Sequence, residues 1–311
     1  MLLPERILGD QDYLEFHLRQ LGEDFDRPVV VQLCGNDSEM VVEAGKKVQG
    51  YCDAIDLNLG CPQEAARDAH YGAYLLGQKD WPLVENMVSA MSRSFVVPVC
   101  TKIRLCQPIS ATLDFAQRLE AAGSAWVTLH ARTVSARRRR QGAADLDQVK
   151  RLKDNLAIPV ISNGNVRTWE DVENNRAYTR ADGIMVGETL LANPCVFADK
   201  TPDPVLVSLE YLDLCREHPG TATIQTIQTH VRHFVDHQCG RKPWFNKFRA
   251  SLNQSKTVDG IDKLLRSKVQ RWRGLEPLLP GVREDDASEV SESEGHCKDW
   301  DQPLSSLSLL V

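Results

Sequence analysis

The sequence lacks the patterns that mark several common protein classes. Its nine cysteines are scattered and include no C-x-x-C pair, which argues against a zinc ribbon and a disulfide framework. No apolar stretch approaches the roughly 20 residues that span a bilayer. The N-terminal MLLPERILGDQ has an acid, an arginine and a proline where a signal peptide needs an apolar core. Neither G-x-x-x-x-G-K nor G-x-G-x-x-G occurs, which disfavours a P-loop and a Rossmann dinucleotide domain. These absences favour a reducing, intracellular compartment.

The net charge of −6 conceals two segments of opposite sign. Residues 276–311 carry nine acids against two bases, whereas residues 241–273 carry ten bases against two acids. The sequence therefore predicts a basic module followed by an acidic, serine-rich tail, and such a tail has the composition of a disordered segment.

Six short apolar runs alternate with helical patterns through the first two thirds of the chain. Most of the runs lack polar alternation, as do strands that are buried on both faces. They are VVVQLCG (29–35), AIDLNLGC (54–61), VPVCTKIRL (97–105), WVTLHAR (126–132), IPVISNGN (158–165) and GIMVGE (183–188). Strands that recur every ~25–30 residues with helices between them predict a parallel sheet built from βαβ units.

Each of the six runs ends in polar or small residues, which favours one shared site. In a (β/α)₈ barrel the carboxyl ends of all strands face one mouth, and the chemistry takes place there. The competing explanation is that polar residues only mark where strands stop. The predicted fold is an α/β, TIM-type barrel, and because six strands are two short of closure, we expect it to be incomplete at its N-terminus.

From about Pro204 the pattern changes to consecutive helices, which predicts a small helical bundle. Four helical stretches carry it: VLVSLEYLDLCREH (205–218), TIQTIQTHVRHFVDHQ (223–238), PWFNKFRASLNQS (243–255) and GIDKLLRSKVQRW (260–272). The predicted organisation is a catalytic barrel over 1–200, a helical domain over 204–275 and a tail over 276–311.

An ordered series of motifs resembles the tRNA dihydrouridine synthases, from near residue 1 to about residue 275. The series is DLNLGCPQ (56–63), HYGAYLL (70–76), TKIRL (101–105), LHART (129–133), ISNGNV (161–166), IMVGE (184–188) and LLANPCVF (190–197). The CPQ and HYGA details are similar to the branch that acts on D-loop uridines 16 and 17. The resemblance implies an FMN-dependent (β/α)₈ barrel with a C-terminal helical domain, which uses NADPH or NADH to reduce uridine in tRNA to 5,6-dihydrouridine. It implies tRNA as the partner, with no membrane and no metal.

Cys61 is the candidate catalytic residue. Reduction of the C5–C6 double bond of uracil needs a hydride at one carbon and a proton at the other. An ordinary thiol is mostly protonated near neutral pH, so it can act as a general acid. The resemblance makes Cys61 that proton donor and puts Asn58, three residues earlier, on the substrate side. The alternative is an inert buried cysteine.

Three further strand-end residues are assigned to the flavin by the resemblance: Gln32, Lys102 and His130. A lysine within an apolar strand is costly unless something pairs with it, and a cation beside the flavin favours its reduced, anionic form. Taken alone, Lys102 could equally extend its ammonium to the rim. Arg132 is assigned to the substrate, and the role of Arg104 is left open.

The last two runs end in Asn163, Gly164 and Asn165, and in Gly187 and Glu188. Barrels often bind phosphate in the loops that follow the last strands, through backbone N–H groups that glycine leaves accessible. These five residues are therefore predicted to hold the cofactor. Many synthases have an arginine where this chain has Glu188, whose carboxylate would repel a phosphate.

Two basic stretches are predicted to contact the tRNA backbone. Arg137, Arg138, Arg139 and Arg140 follow the LHART motif, and the second stretch is the basic segment 241–273. The aromatic residues of that segment, Trp244, Phe245, Phe248 and Trp272, have helical spacing and are expected mainly in the core.

The resemblance also predicts that one or two βα units are absent before the first strand, since the Pro-Met pair that ends the family's first strand is not found. Three functions therefore stay open. The chain is a synthase whose N-terminal units lie outside this sequence, a truncated form that binds tRNA without flavin chemistry, or a flavin barrel acting on a free pyrimidine. The basic helical region disfavours the third.

Overall fold

In a computed structural model, which describes residues 1–21, 27–135 and 142–279, six parallel strands form one sheet in the order β1 to β6. The strands are β1 (Val30–Leu33), β2 (Ala54–Leu59), β3 (Val99–Arg104), β4 (Val127–His130), β5 (Val160–Asn163) and β6 (Gly183–Met185). Each strand pairs with the next along the chain, which is the winding of a (β/α)₈ barrel. The fold is thus a partial (β/α)₈ barrel, and all six predicted strands are confirmed.

Helices connect and cover the strands, as βαβ units require. In the barrel region they are α1 (Pro4–Gly9), α2 (Gln11–Arg19), α3 (Ser38–Val48), α4 (Glu64–Asp68), α5 (Trp81–Ser94), α6 (Thr112–Ala121), α7 (Leu146–Asn155), α8 (Trp169–Thr179) and α9 (Glu188–Ala192). Short 3₁₀ turns lie at Gln49–Tyr51, Gly72–Leu75, Gln78–Asp80, Ile109–Ala111 and Val196–Ala198. The α8 helix begins with a capping box between Thr168 and Asp171, the cap that its sequence TWED predicts.

The barrel core lies between the sheet and these helices. Every residue of β2 is buried, and Leu33, Ile55, Leu57 and Ile103 are fully enclosed. Strands that are buried on both faces have continuous apolar sequences, which is why the sequence pattern predicted their positions.

One residue pairs with the outer edge of β1. Leu2 forms a parallel bridge with Leu33: its N–H donates to the Gln32 carbonyl at 2.7 Å, and its carbonyl accepts from the Cys34 N–H at 3.3 Å. A single bridge residue has no periodicity, so nothing in the sequence pattern predicted this contact.

The region after the barrel is helical, with α10 (Pro204–Glu217), α11 (Ile224–Cys239), α12 (Phe245–Gln254), α13 (Val258–Lys263), a π-helical turn (Leu264–Val269) and α14 (Gln270–Arg273). These helices share a buried cluster separate from the barrel core. Phe245 and Phe248 are buried in this cluster, and Trp244 and Trp272 pack against it half-buried. The domain limits 1–200 and 204–275 stay a prediction, and the predicted disordered tail lies outside the described residues from 280 onward.

Within the described ranges, no helix combines the length and apolar content that crossing a bilayer requires. The eight cysteines in those ranges are free thiols, and no cluster of three or more His, Cys, Asp or Glu there is arranged to hold a metal ion.

Candidate functional site

The loop that carries Cys61 is fixed by the side chain of Asn58. The Asn58 Oδ1 atom accepts hydrogen bonds from the N–H groups of Gly60 at 3.1 Å and Cys61 at 2.9 Å. This is the local side-chain-to-backbone bonding by which asparagine ends regular structure. It ends β2 at Leu59 and leaves the half-buried Cys61 at the carboxyl edge of the sheet.

The HYGA segment packs directly behind Cys61. Gly72 has a φ of +65°, and a Cβ there would lie 3.0 Å from both the Cβ and the carbonyl oxygen of Cys61. The next N–H, from Ala73, donates to the Cys61 carbonyl at 3.1 Å. Tyr74 Oη donates to the Pro62 carbonyl at 3.1 Å. The two motifs that carry much of the resemblance are therefore one structural unit, and only glycine fits at position 72.

A chain of side-chain hydrogen bonds runs beneath this loop. Gln32 Nε2 donates to Asp56 Oδ2 at 2.6 Å, and Asn58 Nδ2 donates to Gln32 Oε1 at 2.7 Å. Gln32 and Asn58, predicted for cofactor and substrate, thus already bond within the protein. Asp56 was missed by the sequence reasoning, although it lies two residues before Asn58 and therefore on the same face of β2.

Lys102 lies on β3 beside this chain, opposite Asn58 in the strand register. Burial lowers the pKa of Lys102 to about 8, against the opposing effect of the Asp56 carboxylate. Burial likewise raises the pKa of Asp56 to about 6, which the hydrogen bonds from Gln32 and Cys100 and the charge of Lys102 counteract. Among the described residues, no hydrogen bond or ion pair engages the Lys102 ammonium. A half-buried cation in this position suits an anionic ligand.

Arg104, whose role the sequence left open, joins two loops of the site. Its Nε donates to the Gly60 carbonyl at 2.9 Å, and its Nη1 donates to the Thr133 carbonyl at 3.0 Å. The side chain is 6% exposed, and burial, with the nearby Arg132, lowers its pKa. Arg104 therefore ties the Cys61 loop to the end of the LHART motif.

His130 ends β4 between Arg104 of β3 and Asn163 of β5 in the register. Burial, and after it the charges of Lys102, Arg104 and Arg132, lower the pKa of His130 to about 3. The imidazole is therefore neutral at physiological pH, with one nitrogen able to donate and the other able to accept.

The ends of β4 to β6 enclose a cavity of about 440 Å³. Seven of the predicted residues line it: His130, Arg132, Asn163, Gly164, Asn165, Gly187 and Glu188. Arg167, which the sequence reasoning did not select, also lines the cavity and adds a second arginine. The sequence signal that could have identified Arg167 is its position directly after the ISNGNV motif.

The Asn163–Asn165 turn gives the cavity its shape. Gly164 has a φ of +129°, and a Cβ there would lie 2.7 Å from the Cβ of Ala144. The Asn165 side chain binds the Ala144 backbone twice, accepting from its N–H at 2.7 Å and donating to its carbonyl at 2.8 Å. Asn163 Nδ2 donates to the Met185 carbonyl at 2.8 Å. The two asparagines hold the backbone, and the charged residues on the cavity lining are Arg132, Arg167, Asp171 and Glu188.

The predicted residues thus form two adjoining groups along the strand ends. Gln32, Asn58, Cys61 and Lys102 belong to β1–β3 and do not line the cavity, whereas the other seven lie at β4–β6 and do. Arg104 and His130, paired in the register, are the junction between the groups. The remaining substrate prediction, Arg137 to Arg140, lies outside the described residues.

Comparison with known proteins identifies the family of the chain. The family model for dihydrouridine synthase matches residues 1–272. The chain is 37% identical over 259 residues to the tRNA-dihydrouridine(16/17) synthase [NAD(P)(+)]-like protein of Mus musculus, covering 83% of this chain and 53% of that protein. It is 38% identical over 178 residues to the tRNA-dihydrouridine(16/17) synthase [NAD(P)(+)] of Saccharomyces cerevisiae, covering 57% and 42%.

Among solved structures, the chain is similar to that of DHODH from Eimeria tenella in complex with ferulenol. It has a TM-score of 0.44 and 15% identity, covering 71% of this chain and 67% of that one. The chain spans about half the length of the curated relatives it matches. The family match across residues 1–272 shows that this chain belongs to the dihydrouridine synthase family.

Proposed function

We propose that this chain reduces uridine to 5,6-dihydrouridine in the D-loop of tRNA, with FMN as cofactor and NADPH or NADH as reductant. The observation that carries the proposal is the placement of Cys61. Its thiol stands at the carboxyl edge of the sheet on a loop held by Asn58 and Arg104, next to the strand that carries Lys102. A thiol on a held loop and a partly buried cation on the neighbouring strand suit proton donation near an anionic ring.

The residues present fit a flavin on two counts. The Lys102 ammonium, which among the described residues makes no hydrogen bond or close ion pair but feels the charge of Asp56, suits the negative charge of a reduced isoalloxazine ring. The cavity at β4–β6 offers a glycine backbone at Gly164 and two arginines to a phosphate group. FMN, when bound, supplies the hydride for the uracil ring.

Each residue near the thiol then has a role that its chemistry permits. Cys61 donates the proton to the ring carbon that does not receive hydride. Lys102, half-buried on β3, stabilises negative charge. His130, neutral at physiological pH, offers one donor and one acceptor rather than a third positive charge. Arg132 and Arg167 bind anionic groups at the cavity.

The helical region supplies the surface for tRNA in this proposal. Most of its bases are exposed, among them Arg241, Lys247, Arg249, Lys268 and Arg271. Exposed lysines and arginines attract the negatively charged phosphate backbone, and their binding releases its counterions. A target uridine within folded tRNA must leave its stack to reach Cys61 at the strand ends. A tRNA substrate also implies an intracellular location.

The test is Cys61→Ala, with Cys215→Ala as the matched control, because Cys215 is a half-buried thiol of the helical region. Both variants and the parent chain are incubated with FMN, NADPH and unmodified tRNA, and dihydrouridine is measured by nucleoside mass spectrometry. We expect Cys61→Ala to lose about 10²-fold or more in rate, the usual effect of removing a general acid, while binding tRNA normally. Full activity in Cys61→Ala would exclude the proton-donor role.

A second candidate is tRNA binding without flavin chemistry. It is favoured by the helical region, which has its own core and carries the exposed bases. The visible spectrum of the purified chain separates the two candidates. Bound FMN with dihydrouridine formation supports the synthase, whereas a colourless protein that still retards tRNA in a gel supports the binding module.

A further inference from the structure

We propose that Asp56 is a positioning residue for Cys61, acting through a polarised relay of hydrogen bonds that passes through Gln32 and Asn58. The relay has three side chains and ends on the backbone N–H groups of Gly60 and Cys61. The proposal deepens the synthase function and rests on it only for the consequence in catalysis. The relay itself is a property of the protein without cofactor or tRNA.

The chemistry of the first member fixes the direction of the relay. An ionised carboxylate can only accept hydrogen bonds, so the group of Gln32 that faces Asp56 must be its NH₂ group. The Gln32 carbonyl oxygen then faces Asn58 and can be satisfied only by the Asn58 NH₂ group. The Asn58 carbonyl oxygen is therefore turned toward the loop, where it accepts from both N–H groups. Reversing either amide would set like groups against each other at two contacts.

The location of Asp56 supports a role beyond packing. It is 6% exposed and lies on the face of β2 that also carries Asn58. Burying a carboxylate costs free energy of folding unless hydrogen bonds compensate for the water it loses. Its Oδ2 accepts from Gln32 Nε2 on β1, and Cys100 lies opposite it on β3 in the strand register.

A competing role for Asp56 is that of counter-charge to Lys102. The two residues lie on adjacent strands, and each charge stabilises the other. The two roles make different demands on the side chain. A counter-charge must be ionised, whereas the relay needs an acceptor oxygen at the Asp56 Oδ2 position. Asparagine meets the second demand and fails the first, so Asp56→Asn separates them.

The experiment is amide hydrogen exchange, read by mass spectrometry on overlapping peptides that isolate Gly60 and Cys61. It uses the full chain without flavin or tRNA and compares Asp56→Ala, Asp56→Asn and Asn58→Ala. The matched control is Asp53→Ala, because Asp53 is an aspartate of the same strand pair that accepts from the Val29 N–H at the opposite end of β2. If Asp56→Ala does not fold, Gln32→Met removes the central amide at nearly constant length and carries the same expectation.

We expect Asn58→Ala and Asp56→Ala to speed exchange at Gly60 and Cys61 by about 5-fold or more, the factor that one hydrogen bond of ordinary net strength supplies. Asp56→Asn should stay near the parent rate, and Asp53→Ala should leave both amides unchanged. Parent-like exchange in Asp56→Ala or Gln32→Met would overturn the relay. Equally faster amide exchange in Asp56→Asn and Asp56→Ala would also overturn the relay, in favour of the counter-charge role. Equally faster exchange in Asp53→Ala would show that the effect is general destabilisation of the fold, which would overturn the relay as well.

The catalytic consequence has its own readout. The relay predicts that Asp56→Ala lowers kcat for dihydrouridine formation with little change in KM for tRNA, and that Asp56→Asn restores most of the lost kcat. A chain that forms no dihydrouridine would refute the proposed function but leave the exchange result intact. Exchange that follows the relay together with an unchanged kcat would show that the relay does not serve the reaction.

Discussion

The two halves of the strand edge treat their polar groups in opposite ways. At β1–β3 the side chains of Gln32, Asp56 and Asn58 bond to one another and to the Cys61 loop. At β4–β6 the asparagines bond to the backbone around a cavity of about 440 Å³, and arginines line the space. The first half fixes the position of one reactive atom, and the second half leaves room for a ligand. A reaction between a thiol and a bound ring needs both.

The largest effect is expected from cutting the connection between the halves. Arg104→Met keeps most of the side-chain volume but leaves the Gly60 and Thr133 carbonyls without the guanidinium. Losing buried, charge-assisted hydrogen bonds should lower the free energy of unfolding by about 2–4 kcal/mol. Urea denaturation measures this loss.

The exposed Arg118, which pairs with Glu85 on the outer helices, provides the control for that substitution. Arg118→Met should cost about 1 kcal/mol or less, as exposed pairs do. Similar losses in the two variants would mean that Arg104 is not a special link between the halves.

An intermediate effect is expected from a change confined to the cavity. Gly164→Ala places a methyl group 2.7 Å from the Ala144 Cβ, at a φ of +129° that side chains avoid. We expect a loss of about 1–3 kcal/mol in unfolding free energy, the usual cost of such backbone strain, together with weaker FMN binding. Thermal unfolding and flavin fluorescence titration measure the two effects.

Gly50→Ala is the control, since nothing lies within 4 Å of a Cβ at that position in the 3₁₀ turn Gln49–Tyr51. It should change stability by only a few tenths of a kcal/mol. If Gly164→Ala behaved in the same way, the tight turn would not be what shapes the cavity.

The smallest effect concerns how the free energy of unfolding depends on pH. The titrations of His130 and Asp56 change this free energy in opposite directions. The pKa of His130 is lowered to about 3, so between pH 6.5 and 3 the unfolded chain holds more of this proton and stability falls on acidification. The pKa of Asp56 is raised from 3.8 to about 6, so between those values the folded chain holds more of that proton and stability rises on acidification.

Asp56→Asn removes the second contribution and leaves the first. The unfolding free energy of this variant should therefore fall more steeply between pH 6 and 4 than that of the parent chain. Urea titrations at several pH values measure the slope. A parallel curve would show that Asp56 does not titrate in this window.

The sequence was sufficient to locate the strands and seven of the lining residues for a physical reason. Buried parallel strands have continuous apolar runs, and residues at their ends meet because the strands point the same way. The six strands and the cavity residues at β4–β6 follow from this local pattern. Asp56 and Arg104 do not, because their partners lie on other strands and loops, and hydrogen bonds between strands depend on register and side-chain direction.

The predicted role of Gln32 illustrates the same limit. The sequence predicted an amide that offers a donor and an acceptor to the flavin, which stays a prediction, but gave no sign that its two polar ends bond to Asp56 and Asn58. The bridge between Leu2 and Leu33 could not be predicted either, because a single paired residue shows no hydrophobic periodicity.

The fit of Gly72 behind Cys61 has a consequence for what the thiol can be exchanged for. Gly72 touches the Cβ and the backbone of residue 61, which are atoms that serine and alanine also possess. The contact with Gly72 can therefore be kept when sulfur is replaced by oxygen or hydrogen. A graded series with cysteine, serine and alanine at this position would vary the acidity of one atom while the geometry stays constant, which makes the position a natural place to measure how much the donor's acidity contributes to the rate.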